Sequence, residues 1–320
     1  MQPSQNHARC GAAVHGHWGD FRGEVRDNET VPPAGLGTVA PRRSSSYPMK
    51  MVRQDANRRR LVQKIEAICR RLNRRYGPVE PPPRLPVLDE LIAAILSQNT
   101  TDANSDAAWE ELRRRFADWD AVRRARTSSV VGAIRVAGLS RRKAPRIQRI
   151  LRSIYAERGA LSLDFLADWP TAEAIAYLRR FEGVGPKTAA CVLLFACRKP
   201  VLPVDTHVHR VSRRVGLIAV GVGAERAHAR LAELVPDRRV LEFHVQLIRH
   251  GRRVCKARNP VCEDCPLVDL CPEGQSRVAA SIARSPIRGR RSRGRVVRNK
   301  QRRISPGRVD LALAPLAGLL

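Results

Sequence analysis

From Asn57 to Tyr76, apolar residues recur at helical spacing (Leu61, Ile65, Ile68, Leu72), and Gly77-Pro78 ends the segment. A proline-rich connector, Pro81 to Pro86, leads into a run from Leu88 to Leu96 that is wholly apolar after Asp89 and Glu90. This predicts a buried helix that stops in a polar knot, Ser97-Gln98-Asn99-Thr100-Thr101-Asp102. Asp102 is placed to cap the next helix, which runs to about Phe116. Shorter helices are predicted over 118–125, 128–136, 140–157 and 171–180, with Gly138-Leu139-Ser140 breaking one and capping the next. A charge-poor helix covers Thr188 to Ala196, and others run from Asp205 to about Val215, over 224–235 and over 240–253. Nowhere do apolar and polar residues alternate over a useful length, so the chain reads as all-α.

The two ends carry no such pattern. Residues 1–56 are rich in Gly, Pro, Ser, Arg and His, and are expected to be a disordered tail. His7, His15, His17 and Cys10 within it read as scattered solvent-exposed side chains rather than a metal site. Met49 and Met51, just ahead of the first periodic segment, offer alternative translation starts. Residues 276–320 hold twelve Lys or Arg against one acid, Asp310, and are expected to be a second disordered, basic tail.

Charge sharpens the picture. The formal net charge is +29, and 57–275 stays strongly basic without the tails, so a polyanion is the expected partner. The hydrophobic fraction, 43%, suffices for a core. No apolar run is long enough to span a bilayer, and the first thirty residues lack the apolar centre of a secretory signal. The expected location is the cytoplasm, in association with the nucleoid.

Within this basic chain one stretch concentrates candidate chemistry: Phe181-Glu182-Gly183-Val184-Gly185-Pro186-Lys187-Thr188-Ala189-Ala190, followed later by Val204-Asp205-Thr206-His207. Gly183 and Gly185 allow a tight turn and a close approach to another surface. Pro186 suits the first position of a new helix. The unpaired N–H groups at that helix start favour an anion, and a nucleic-acid phosphate is the natural one here. Only seven of the 59 basic residues are lysines, and one of them, Lys187, stands in this turn. Arg cannot lose its proton to become a nucleophile, whereas Lys can. The plainer readings are a phosphate-contacting cation for Lys187 and a helix N-cap for Asp205; His207 and His209 read as structural.

Cys255, Cys262, Cys265 and Cys271 follow a C-x6-C-x2-C-x5-C spacing among Lys, Arg, Asn and Pro, a poor setting for a hydrophobic core. Metal ligation is the expected reading, as a structural Zn2+ or as a [4Fe–4S] cluster. Cys191 and Cys197 lie on the apolar helix and read as core.

The Gly-Val-Gly-x-Lys-Thr-Ala hairpin, the Val-Asp-Thr-His and the cysteine spacing resemble the DNA glycosylases related to endonuclease III, over roughly residues 57–275. The resemblance implies a helical-barrel domain over 86–202, with a helix-hairpin-helix, and an iron–sulfur cluster domain built from 57–85 and 203–275. It makes Lys187 and Asp205 catalytic, and Cys255, Cys262, Cys265 and Cys271 the ligands of a [4Fe–4S] cluster. Gly183, Gly185 and Thr188 become DNA contacts, with Gln98 or Asn99 filling the gap left by an extruded base. The chain departs from the family in Glu182 and Pro186, and Glu182 places an acid near the phosphate site. The implied activity is that of a monomeric, bifunctional glycosylase with abasic-site lyase activity on oxidised pyrimidines in duplex DNA. The rivals are a monofunctional mismatch or adenine glycosylase of the same fold and a non-catalytic DNA-binding module.

Overall fold

The computed structural model describes residues 47–284, with side chains from Asp55 onward. Among them all regular structure is helical, as expected. Twelve α-helices follow in order: α1 (Tyr47–Tyr76), α2 (Val87–Leu96), α3 (Asp102–Arg115), α4 (Trp119–Arg124), α5 (Thr127–Ala133), α6 (Ser140–Arg158), α7 (Thr171–Arg179), α8 (Pro186–Phe195), α9 (Thr206–Arg214), α10 (Ala224–Ala232), α11 (Val240–Arg253) and α12 (Pro272–Arg284). Four 3₁₀ turns that the apolar pattern did not announce join them, at Arg135–Ala137, Asp164–Ala167, Asp237–Arg239 and Val268–Leu270.

Two expected boundaries are corrected. The first helix begins at Tyr47, inside the stretch read as tail. The last helix, α12, runs to Arg284, past the expected start of the basic tail. It is held by a pair within the helix, Arg277 to Glu273 one turn back, and by one bond to the cysteine loop, the Ser281 hydroxyl donating to Glu263 at 2.8 Å. The rest of both tails, including His7, Cys10, His15 and His17, lies outside the described residues. Two caps also differ. Thr101, not Asp102, caps α3, accepting from Asn104 N–H at 3.3 Å, and Asp102 instead pairs with Arg252 of α11 at 2.6 Å. Leu139 rather than Ser140 precedes α6.

The helices wrap two hydrophobic cores. One gathers buried residues from Val87 to Cys197, and the other takes Ile65, Ile68 and Leu72 of α1 together with residues from Leu202 to Cys271. Helix α8 belongs to both: Ala189, Val192 and Leu193 face the first, while Cys191, Leu194 and Phe195 face the second. A helix walled in on both sides must be apolar all round, which is why its sequence shows no polar face. Its first turn, carrying Lys187, therefore emerges where the two cores meet.

Lys143 of α6 braces the first core. It is buried, and its Nζ donates to the carbonyls of Leu96 at 2.7 Å and Ala137 at 3.0 Å. These carbonyls end α2 and the 3₁₀ turn before α6, so one ammonium pins both turns that follow. Lys143→Met leaves two buried acceptors unsatisfied and is expected to cost about 2–4 kcal/mol in thermal or urea unfolding.

Candidate active site and cluster loop

The hairpin between α7 and α8 forms as its glycines predict. Gly183 has φ +79°, which an L side chain rarely adopts. A Cβ there would also strike the Arg146 guanidinium, whereas one at Gly185 would meet open space. Gly185 is the N-cap of α8 and offers no side-chain cap, so the first-turn N–H groups stay available to a ligand. The Thr188 side chain is buried, and its hydroxyl accepts from Gln98 Nε2 at 3.2 Å. What Thr188 can present outward is its backbone.

The polar knot docks against this turn. Gln98 Nε2 also donates to the Gly183 carbonyl at 3.1 Å, and Gln98 Oε1 accepts from Arg146 at 3.4 Å. Asn99, by contrast, is exposed and sits at φ +53°. Leu139, on the other turn pinned by Lys143, shares this geometry: φ +50° and 48% exposed. Two non-glycine residues on left-handed backbone, one an uncovered leucine, mark turns built to present side chains. Leu139 was missed in the sequence; its only signal was an apolar residue straight after a helix-breaking glycine. Glu182 of the hairpin pairs with cations of α6, 2.6 Å from Arg149 and 3.8 Å from Arg146.

Lys187 is half-buried at the second position of α8. One turn on, Cys191 is fully buried, and burial pushes its thiol up to about 11, while the Lys187 amine pulls the other way. Cys191 also feels the charges of Glu90 and Asp205, so these four groups share one small region. Asp205 caps α9, accepting from Val208 N–H at 2.7 Å. His207 accepts from Arg210 at 3.0 Å through Nδ1, and His209 donates to the Val222 carbonyl at 2.7 Å, both holding local structure. Glu90, of α2, was not singled out in the sequence. Its signal was available: a helix with one narrow polar position cannot keep both Asp89 and Glu90 in water.

The four spaced cysteines line one pocket, together with Arg214, His250 and Arg277. Their sulfurs meet donors suited to thiolates: Leu267 N–H on Cys265 at 3.4 Å, Gly274 N–H on Cys271 at 3.2 Å and Arg214 on Cys255 at 3.4 Å. A Cβ at Gly274 would press to 3.3 Å on the Cys271 sulfur, so the glycine keeps that thiol clear. Among the described residues no three His, Cys, Asp or Glu side chains are drawn together as a single-ion site. Four thiols set round a common pocket suit a cluster that bridges them. Two arginines of α9 fasten the loop: Arg210 donates to the carbonyls of Cys255 and Gly251, and Arg214 to those of Lys256 and Ala257.

Among the described residues no helix is long and apolar enough to cross a membrane. Residues 92–237 match the family of HhH-GPD superfamily base excision DNA repair proteins, and 255–271 match the iron–sulfur binding domain of endonuclease III. A DNA glycosylase homologue of Arabidopsis thaliana is 36% identical over 192 residues, 57% of this chain and 65% of that one. Endonuclease III of Thermotoga maritima is 34% identical over 181 residues, 57% of this chain and 80% of the enzyme. The fold is similar to that of an endonuclease III trapped as a covalent intermediate with DNA, with a TM-score of 0.59 and 28% identity over 68% of this chain and 98% of that one. With its hairpin, its capped α9 and its four-cysteine loop in these places, the chain belongs to the endonuclease III family of base-excision DNA-repair enzymes and carries that family's iron–sulfur cluster.

Proposed function

We propose that the protein is a bifunctional DNA glycosylase and abasic-site lyase that removes oxidised pyrimidines from duplex DNA. The observation that carries this reading is the placement of Lys187, on the first turn of α8, in one charge cluster with Asp205, the cap of α9. The first-turn N–H groups of α8 and the open side of Gly185 receive a phosphate, and Gly183 and Thr188 contribute through backbone.

The damaged nucleotide leaves the stack before chemistry. Asn99 is the better candidate of the two knot residues to fill the gap, since Gln98 is tied to the hairpin. Leu139 is its apolar companion on the opposite turn. Asn99→Ala and Leu139→Ala are each expected to slow base removal from duplex by roughly tenfold, without slowing cleavage of an abasic site in single-stranded DNA.

The neutral Lys187 amine attacks C1′ and forms the N–C1′ bond. The glycosidic bond breaks, and its electron pair and a proton go to the departing base. Asp205 stabilises positive charge developing on the sugar. The nitrogen lone pair then forms the C=N bond as the C1′–O4′ bond breaks, O4′ taking that bond's electron pair and a proton, which opens the sugar ring and gives a protonated Schiff base. Removal of a C2′ proton then expels the 3′ phosphate with its electron pair, nicking the strand. Cys255, Cys262, Cys265 and Cys271 would hold the [4Fe–4S] cluster, whose part is to keep a basic loop in shape. The 86–202 segment as a barrel domain, 57–85 with 203–275 as a cluster domain, and a monomer at the nucleoid complete the reading.

Borohydride trapping on duplex bearing an abasic site or thymine glycol tests it. A covalent adduct with both is expected. An adduct with the abasic site alone would remove the oxidised-pyrimidine assignment, and none with either would remove the lyase.

A further inference from the structure

Glu90 is the only acidic side chain buried among the described residues, and neither of its carboxyl oxygens has a hydrogen-bond partner. Such a group is costly to keep. Its neighbour Asp89 shows the ordinary solution: it accepts from Trp119 Nε1 at 2.6 Å. Glu90 instead faces α8. The charged groups acting on it are Lys187, from the first turn of that helix, and Arg198, just after its end. Cys191 of α8 lies in its field. Elsewhere around α2, Asp164 is occupied with Val87 N–H, Lys143 with two carbonyls at the far end, Asp102 of α3 with Arg252, and Asp106 of α3 feels Asp102 and Glu110. Asp205, like Glu90, acts on Cys191.

We propose that Glu90 is a positioning residue that acts through Lys187, holding on a buried carboxyl the proton the lysine must lose before it attacks. The inference rests on Lys187 being the nucleophile. An N–H bond of the ammonium breaks and its electron pair stays on nitrogen. Because neither Glu90 oxygen is hydrogen-bonded to the amine, one bridging water passes the proton on, and an O–H bond forms on the Glu90 carboxylate, leaving a neutral acid and a neutral amine. With one proton between them, burial favours this uncharged pair over an ion pair, because neither partner then bears an unsolvated charge. An exposed carboxylate could not serve: water would keep it ionised at neutral pH, and it would steady the ammonium instead. Burial pushes Glu90 up to about 8, within the range where a proton acceptor for an amine is useful.

The reading also predicts a conflict between stability and activity. Glu90 has its carboxyl raised from 4.5 to about 8 on folding, so its favourable contribution is complete below the unfolded value and is lost as pH climbs through that window. Glu90→Leu removes the buried acid. Its melting temperature should exceed that of wild type by about 3–10 °C at pH 8, with the gap shrinking towards pH 4.5.

The test is single-turnover borohydride trapping on abasic-site duplex across pH 6.5–9.5, with wild type, Glu90→Gln and Glu90→Leu. Both variants are expected to lose roughly 10²-fold in trapping rate near neutral pH, with affinity for the duplex unchanged. The loss should narrow at high pH, because solvent then takes the proton. A variant that keeps the wild-type rate and profile overturns the proposal. So does a loss that is equal at every pH, which marks a structural role. Glu90→Leu keeps the test open if the glutamine variant folds poorly. Absence of any adduct in wild type instead removes Lys187 as nucleophile, and with it the role of Glu90.

Discussion

Lys187→Gln is expected to lower strand nicking at an abasic site by at least about 10³-fold while leaving affinity for the same duplex within about threefold. Glutamine has nearly the reach of lysine and is tolerated at the second position of a helix, so α8 and the Gly183–Gly185 turn should persist. What disappears is the amine. Asp205 needs a subtler substitution, because the proposed function gives its side chain a second role beside the cap. As N-cap of α9 it accepts from Val208 N–H, and asparagine caps a helix about as well as aspartate. Asp205→Asn should therefore melt within about 0.5 kcal/mol of wild type yet remove bases roughly 10²–10⁴-fold more slowly. Asp205→Ala should lose the same activity and a further ~1 kcal/mol of stability. Gel-resolved nicking, duplex titration and thermal melts on the three variants give the answer. Full activity in Asp205→Asn would reduce this residue to a cap.

Features that depend on a few adjacent residues were legible in the sequence. The hairpin was readable because a Gly-Val-Gly before Pro allows few backbone paths, and the φ of Gly183 follows that reading. The Asp205 cap was readable for the same reason, as was the helical character of the chain. Features set by what lies across a helix were not. Whether Asp102 or Thr101 caps α3 is decided by Arg252, which draws the Asp102 carboxylate away from the helix start. The double role of α8 depends on which helices flank it. Its apolar sequence is equally consistent with one core. Cys191 read as core, and it is buried, but its neighbours Lys187, Glu90 and Asp205 come from three elements. Leu139 and Asn99 are forty residues apart in sequence, and their kinship appears only in their matching backbone and in the Lys143 brace beneath both turns.

Loss of the iron–sulfur cluster should reach Asp205 through two arginines. The loop from Cys255 to Cys271 has little apolar content, so its shape rests on ligation rather than on a core. Its carbonyls at Cys255, Lys256 and Ala257 accept from Arg210 and Arg214, both on the helix that Asp205 caps. Arg214 is only 7% exposed, so a loosened loop would strand a buried guanidinium, with Glu273 as its remaining ion-pair partner. Cys262→Ala or Cys265→Ala is therefore expected to yield protein without the broad visible absorbance of an iron–sulfur centre. The melting temperature should fall by roughly 10 °C or more, and proteolysis should begin within 255–271. Base removal per folded molecule should fall as well, because α9 no longer holds Asp205 in place. Arg214→Met separates the two links: it should retain the absorbance, since every thiol remains, while showing part of the loss in activity. A cluster-free protein that resists protease and cleaves at the wild-type rate would show that the loop holds its shape unaided, and the path to Asp205 would fall with it.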